Sequence, residues 1–247
     1  MANLVIDIGN TFIKAAIFED DDLVFTDQYP LLDNQIIAGV FNSHTIDKAM
    51  VSSVKKQGSE WETTLSQKTK LIYFNAAMAE GINNHYKTPH TLGLDRLAAV
   101  TGANYLYPQQ NNLVIDGGTC ITYDFIDAGA NYFGGSISPG LNMRYKALNY
   151  YTAVLPVVNQ DKNFADDAGD DTETAIKSGV QNGIKHELMG FIDSYAKHSP
   201  QLNIILTGGD GIFFDTLLKN SIFAPYIKNE PYLVLKGLNA ATQKHND

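Results

Sequence analysis

Asn3-Leu4-Val5-Ile6-Asp7-Ile8-Gly9 returns 109 residues later as Asn112-Leu113-Val114-Ile115-Asp116-Gly117-Gly118, identical at six of seven positions. Each copy is a short apolar run, rich in β-branched residues, that ends in Asp and then Gly. That is the pattern of a buried strand entering a turn. Asn10-Thr11 follows the first copy and Thr119 the second, and return strands are predicted at 13–18 and 121–126. Two halves that open with similar hairpins predict a duplicated α/β chain. The polar run from Pro108 to Asn112 marks the seam, giving domains of residues 1–108 and 109–247. Chance recurrence of a common strand ending is the competing reading, because buried strands draw on few residue types.

Outward from the repeat, the chain keeps alternating. Leu94 to Tyr107 reads as a helix with Leu94, Leu97, Ala98, Thr101 and Tyr105 on one face. Thr172 to Lys197 reads as a longer one, with Ile176, Val180, Ile184, Leu188, Phe191 and Tyr195 recurring every three or four residues. Asn203 to Thr207 is another strand running into the glycine turn Gly208-Gly209-Asp210. Strands alternating with helices make an α/β protein.

Composition narrows the function classes. The 247 residues carry 18 Lys+Arg against 27 Asp+Glu, a formal net charge of −9, and no basic run longer than Lys55-Lys56. That balance argues against nucleic acid and anionic membrane as partners. With 44% hydrophobic residues the chain can bury a real core. A single cysteine, Cys120, excludes an intrachain disulfide framework and suits a reducing compartment. No basic leader opens the sequence, and no uncharged apolar run approaches the roughly 18 residues of a membrane span. A cytoplasmic protein is expected.

The chemistry-bearing segments are the glycine turns. Backbone N–H groups in such turns approach phosphate oxygens, with Thr or Asn side chains as further donors. Asp7 and Asp116, beside their turns, are placed to hold a hydrated Mg²⁺. One such turn would be an ordinary hairpin; a matched pair points to a phosphate ligand. The third turn, at Gly208-Gly209, could receive an adenosine. G-x-x-x-x-G-K-[ST], G-x-G-x-x-G and G-x-S-x-G are all missing, which removes P-loop, Rossmann and nucleophile-elbow readings. Gly93-Leu94-Asp95-Arg96 opens the first long helix. There Asp95 is either an N-cap or first-turn acid, or a general base with Arg96 ready for an anion. Gly134 to Gly140 reads as a loop wrapping a ligand. Asp161 to Asp171 reads as a solvated loop, with Asp170-x-x-Glu173 as a capping box for the long helix. Cys120 is expected to be packed rather than reactive.

In this order and spacing the motifs resemble type III pantothenate kinases, of the acetate kinase, sugar kinase, heat-shock chaperone and actin superfamily. Asp7-x-Gly9-Asn10-Thr11 with Lys14 resembles the family's first phosphate motif, and Tyr86-x-x-Pro89-x-x-Leu92-Gly93-x-Asp95-Arg96 its pantothenate motif. Asp116-x-Gly118-Thr119 is similar to the second phosphate motif, Gly134 to Gly140 to its G-G-x-I-x-P-G segment, and Thr207-Gly208-Gly209-Asp210 to its adenosine motif.

The resemblance implies duplicated actin-like (ribonuclease H-like) domains with the active site in the cleft between them. It implies ATP-dependent phosphorylation of pantothenate to 4'-phosphopantothenate, the first step of coenzyme A biosynthesis, by a cytoplasmic homodimer using Mg²⁺ and K⁺ or NH₄⁺. Asp95 is then the general base. Asp7 supports the Mg²⁺, through water, and the phosphates; Asp116 holds the monovalent cation. Gly9, Asn10, Thr11, Lys14, Gly118, Thr119, Gly208 and Gly209 bind ATP. Tyr86, Gly93, Leu94, Asp95 and Arg96 contact pantothenate, and Thr172 reaches it from the partner subunit or else caps its helix. Two readings stay open beside this one: another small-molecule kinase of the superfamily, and a noncatalytic transcriptional-regulator relative. The intact Asp95 and the acidic balance speak against the second.

Overall fold

In the computed structural model, which describes residues 1–53 and 58–245, the strand–turn–strand reading of the repeat holds in both places. The first half runs β1 (Ala2–Ile8), β2 (Ile13–Glu19), β3 (Asp22–Tyr29), α1 (Asn34–Ser43), β4 (Lys48–Ser53), α2 (Glu60–Lys68), β5 (Lys70–Tyr73), β6 (Asn83–Asn84) and α3 (Leu94–Leu106). The second runs β7 (Asn112–Gly117), β8 (Cys120–Ile126), β9 (Asn131–Pro139), α4 (Leu141–Tyr150), α5 (Thr172–Ala196), β10 (Asn203–Thr207), α6 (Gly211–Leu218), β11 (Ile227–Asn229) and α7 (Leu233–Lys244). Lys55-Lys56 lies outside the described residues.

Two compact units result. One comprises Met1–Gln109, Ala130–Phe133 and the chain from Tyr232 onward; the other comprises Gln110–Gly129 and Gly134–Pro231. In the first, the strands lie in the order β3-β2-β1-β4-β5, with β1 antiparallel to β2 and parallel to β4. In the second the order is β9-β8-β7-β10-β11, with β7 antiparallel to β8 and parallel to β10. Each copy of the repeat is therefore the central strand of its own sheet, with the same neighbours in the same directions. The duplication is one of topology, not only of seven letters.

Strand alternation sets the faces. Leu4 and Ile6 of β1 pack with Ile37 and Val40 of α1 and Trp61 and Leu65 of α2. The opposite face meets α7, where the buried Asn3 amide donates to Asn239 Oδ1 at 2.9 Å. In the second unit Leu113 and Ile115 of β7 join Ile176, Val180, Ile184 and Leu188 of α5, so the helical stripe read from the sequence does face a core. Phe191 and Tyr195 lie at the edge of that core, partly buried. Asp7 and Asp116 have the parity of Asn3 and Asn112. They sit at matching places, near the carboxyl end of each central strand and off the main core face.

The run from Gly134 to Gly140, predicted as a loop, is instead almost all strand. β9 continues to Pro139, and only Gly140 lies outside it, as the N-cap of α4.

Candidate active site

The first turn joins β1 to β2, closed by the Gly9 amide donating to Phe12 O at 3.2 Å. Asn10 and Thr11 at its tip are exposed, while Asp7 is only 9% exposed and pairs across the strands with Lys14 and Ser52. The second turn joins β7 to β8, closed by the Gly118 amide donating to Cys120 O at 2.9 Å. Gly118 and Thr119 are likewise exposed. Both turns lie at the carboxyl end of a central strand, the edge at which open α/β sheets take ligands.

The remaining glycine segments of the second unit close around the second turn. Gly140 donates to Thr119 O at 3.1 Å, and a Cβ there would lie 2.3 Å from Gly118 O and 2.4 Å from Thr119 O. Gly208, at φ +82°, leaves no room either: its Cβ would fall 2.2 Å from Asp116 Oδ1 and 2.4 Å from Gly117 O. The Asp210 amide donates to Gly117 O at 2.9 Å. Burial pushes the Asp210 carboxyl above its ordinary value, a shift opposed by the charge of Lys162. So Asp116, Gly118, Thr119, Gly140 and Gly208 form one constellation, with Gly209 next in the chain.

The pantothenate-type segment lies in the first unit. Gly93, not Asp95, is the N-cap of α3, and Asp95 is the second residue of the helix. Asp95 is exposed, and its Oδ1 accepts from the amide of Arg96 at 2.8 Å. Leu94 beside it is half-buried. Arg96 is 6% exposed, with its guanidinium carbon 5.7 Å from the centroid of the Tyr86 ring, a cation–π distance. Tyr86 in turn stacks on buried Tyr132, rings 6.4 Å apart and 8° from parallel. Tyr132 gave no signal in the sequence, because its partner lies 46 residues away from this early position in β9.

Thr172 is the exposed first residue of α5 and does not cap it. The cap is Asp171, in a reciprocal box with Thr174; the predicted pair Asp170 and Glu173 is one residue out of register. The acidic run before it is exposed for most of its length but pinned to the helix, Asn182 donating to Asp166 O at 2.9 Å and Ser178 to Asp167 O at 2.9 Å. Cys120 is half-buried at the start of β8. A hollow of about 410 Å³ beside α4 and α5, lined by Arg144, Leu148, Tyr151 and Val180 among others, holds none of the predicted site residues. Among the described residues no three of His, Cys, Asp and Glu gather as a metal site, and no helix is long and apolar enough to cross a membrane.

In both sequence and fold the chain resembles known proteins. Residues 3–194 match the family model for type III pantothenate kinase. A type III pantothenate kinase of Bacteroides fragilis is 43% identical over 250 residues, covering 99% of this chain and 98% of the relative. Among solved structures, component A of Acidaminococcus fermentans (R)-2-hydroxyglutaryl-CoA dehydratase superposes with a TM-score of 0.53 at 13% identity, covering 98% of this chain and 96% of that one. The ROK hexokinase of Thermus thermophilus gives 0.51 at 12% identity, covering 98% of each. At such identities the structural likeness speaks for the fold alone, which is the duplicated actin-like one. With most of its length matched by the family model and a relative alike from end to end, the chain belongs to the type III pantothenate kinase family.

Proposed function

We propose that this protein transfers the γ-phosphoryl group of ATP to the primary hydroxyl of pantothenate, giving 4'-phosphopantothenate, the first step of coenzyme A biosynthesis. The observation that carries the reading is the α3 mouth. An exposed carboxylate, Asp95, stands there beside a nearly buried, ring-stacked Arg96, in a chain of this family. Asp95 accepts the hydroxyl proton as the oxygen attacks. Arg96, Tyr86, Gly93 and Leu94 hold the acceptor, with the fixed guanidinium suited to its carboxylate. Phosphoryl transfer asks the protein chiefly for alignment and charge stabilisation. Gly9 and Gly118 close the two turns with their own amides, and the backbone of Asn10, Thr11 and Thr119, with Lys14, provides this for the phosphates. Gly208 and Gly209 take the adenosine.

The donor set suits the family's ions. Mg²⁺ keeps several waters and takes one or two carboxylates plus substrate phosphates, rather than an all-protein cage. Asp7, a single carboxylate beside its turn, fits that habit, and bound Mg²⁺ would neutralise phosphate charge. Asp116, with its Oδ1 against Gly208 and carbonyls close by, is suited to K⁺ or NH₄⁺. The reading also includes a cytoplasmic homodimer in which Thr172 of α5 reaches the neighbour's pantothenate. In its support, a Cβ on Gly179 or Gly183 would meet no other described residue within 4 Å beyond the helix's own turns. Mid-helix glycines cost about 1 kcal/mol each against alanine, so a close neighbour would explain them. A coupled ATP assay with Mg²⁺ and K⁺ against pantothenate, sugars and simple carboxylates tests the substrate. Turnover confined to pantothenate is expected, and a preferred sugar or carboxylate would overturn the assignment.

A further inference from the structure

We propose that Arg144 is a positioning residue for the ATP phosphates, holding the second phosphate turn in place through the end of β9 without touching nucleotide itself. This rests on the kinase reading and adds to it a residue outside every motif singled out in the sequence.

Arg144 lies in α4 and reaches backward and sideways at once. Its Nε donates to Pro139 O at 2.9 Å and its Nη2 to Ser138 Oγ at 3.0 Å, while Nη2 also pairs with Glu187 of α5. Glu187 is steadied from its other oxygen by the hydroxyl of fully buried Tyr123, at 2.8 Å. The residue after Pro139 is Gly140, the one pressed against both Gly118 O and Thr119 O and bonded to the latter. The guanidinium thus ties the last two residues of β9 to the long helix. Those two residues set where Gly140 meets the turn. Upstream, β9 is fixed to β8 by Gly135, whose Cβ would fall 1.7 Å from Tyr123 O. Between these anchors the strand end has little freedom while Arg144 is present.

A planar fork is required for this. Three acceptors in three directions are served by one rigid guanidinium, which a lysine ammonium on a flexible stem cannot reproduce. Both charges of the pair are largely buried, side chains 19% and 22% exposed, so solvent does not readily substitute for a lost partner. Because the path leads to the Thr119 turn and not to the α3 mouth, the two substrates should feel its loss differently.

The experiment is steady-state kinetics of Arg144→Met and Arg144→Lys, with melting temperature recorded for each. The expected result is a rise in KM for ATP of about 10- to 100-fold in Arg144→Met, and a smaller rise in Arg144→Lys, as misplacement of the turn that holds its phosphates produces. KM for pantothenate should stay within about twofold. Lys197→Ala, which breaks the exposed Lys197–Asp193 pair farther along α5, serves as the control and should leave both unchanged. If Arg144→Met does not fold, Arg144→Lys decides. An unchanged KM for ATP, or equal losses toward both substrates, would show an ordinary structural ion pair and overturn the proposal. A wild-type protein inactive on pantothenate would instead overturn the kinase reading.

Discussion

At the scale of single residues, the sharpest feature is the contact between Gly93 and Asp95. A Cβ on Gly93 would lie 2.4 Å from Asp95 Oδ1, so the glycine leaves the space into which the carboxylate folds. Asp95→Asn keeps that shape and removes the proton acceptor. Turnover should fall about 10²- to 10⁴-fold with the melting temperature unchanged; retention of more than about half of kcat would leave Asp95 as only a first-turn acid. Gly93→Ala is expected to lower kcat as well, by displacing the carboxyl group while keeping Asp95 itself. Circular dichroism should show an intact fold, and wild-type kinetics would mean that the position of Asp95 is not critical. The places of Asp7 and Asp116 at strand ends and of Asp95 at a helix start were legible in the sequence, each with a glycine within two residues. The one mismatch of the repeat, Ile8 against Gly117, was not legible. Its cause is Phe214, whose ring would lie 2.4 Å from a Cβ at 117, and nothing near Gly117 announces a partner 97 residues away.

Elements were legible where their signal is local. The central strands, their return strands, α3 and α5 follow the expected spans to within a residue or two. Gly134 to Gly140 misled because glycines and a proline usually break strands; here Gly135 is required by the backbone of Tyr123 and Gly140 by the turn. The α3–α7 contact was invisible for a different reason. It depends on Gly102 and Gly237, whose Cβ atoms would fall 2.6 Å from Leu233 O and 1.9 Å from Ala98 O, a pairing across the length of the chain that no window of sequence contains. The start of α5 gives a testable pH dependence. Its N-cap Asp171 is held below the usual carboxylate range, first by the backbone amide of Thr174 and then by its hydroxyl. A depressed folded-state value contributes stability above the unfolded value and loses it as pH falls through the folded one. Asp171→Ala should therefore melt lower than wild type at pH 7, with the gap narrowing below about pH 4. A gap constant across that range would mean that the ionised cap is not what holds the helix start.

At the scale of the whole molecule, duplication explains why matched glycine turns occur twice, each at the carboxyl end of a central strand. Among the described residues, none fills the space over Gly179 and Gly183. If a second copy does, Gly183→Leu should shift light scattering from a dimer mass toward a monomer mass while each unit stays folded; an unaltered mass would place the interface elsewhere. Replacing K⁺ by a bulky organic cation at constant ionic strength should stop turnover, and equal rates in both salts would remove the monovalent-ion role given to Asp116. Above all, a base at the α3 mouth should deliver phosphate to one particular oxygen. The most direct measurement is therefore to incubate the protein with ATP, Mg²⁺, K⁺ and pantothenate and to locate the phosphoryl group in the product by phosphorus and proton NMR. A single phosphate ester on the primary hydroxyl, formed with equimolar ADP, is the expected product. Phosphate found on the secondary hydroxyl or the carboxylate, or ATP consumed with pantothenate unchanged, would contradict it.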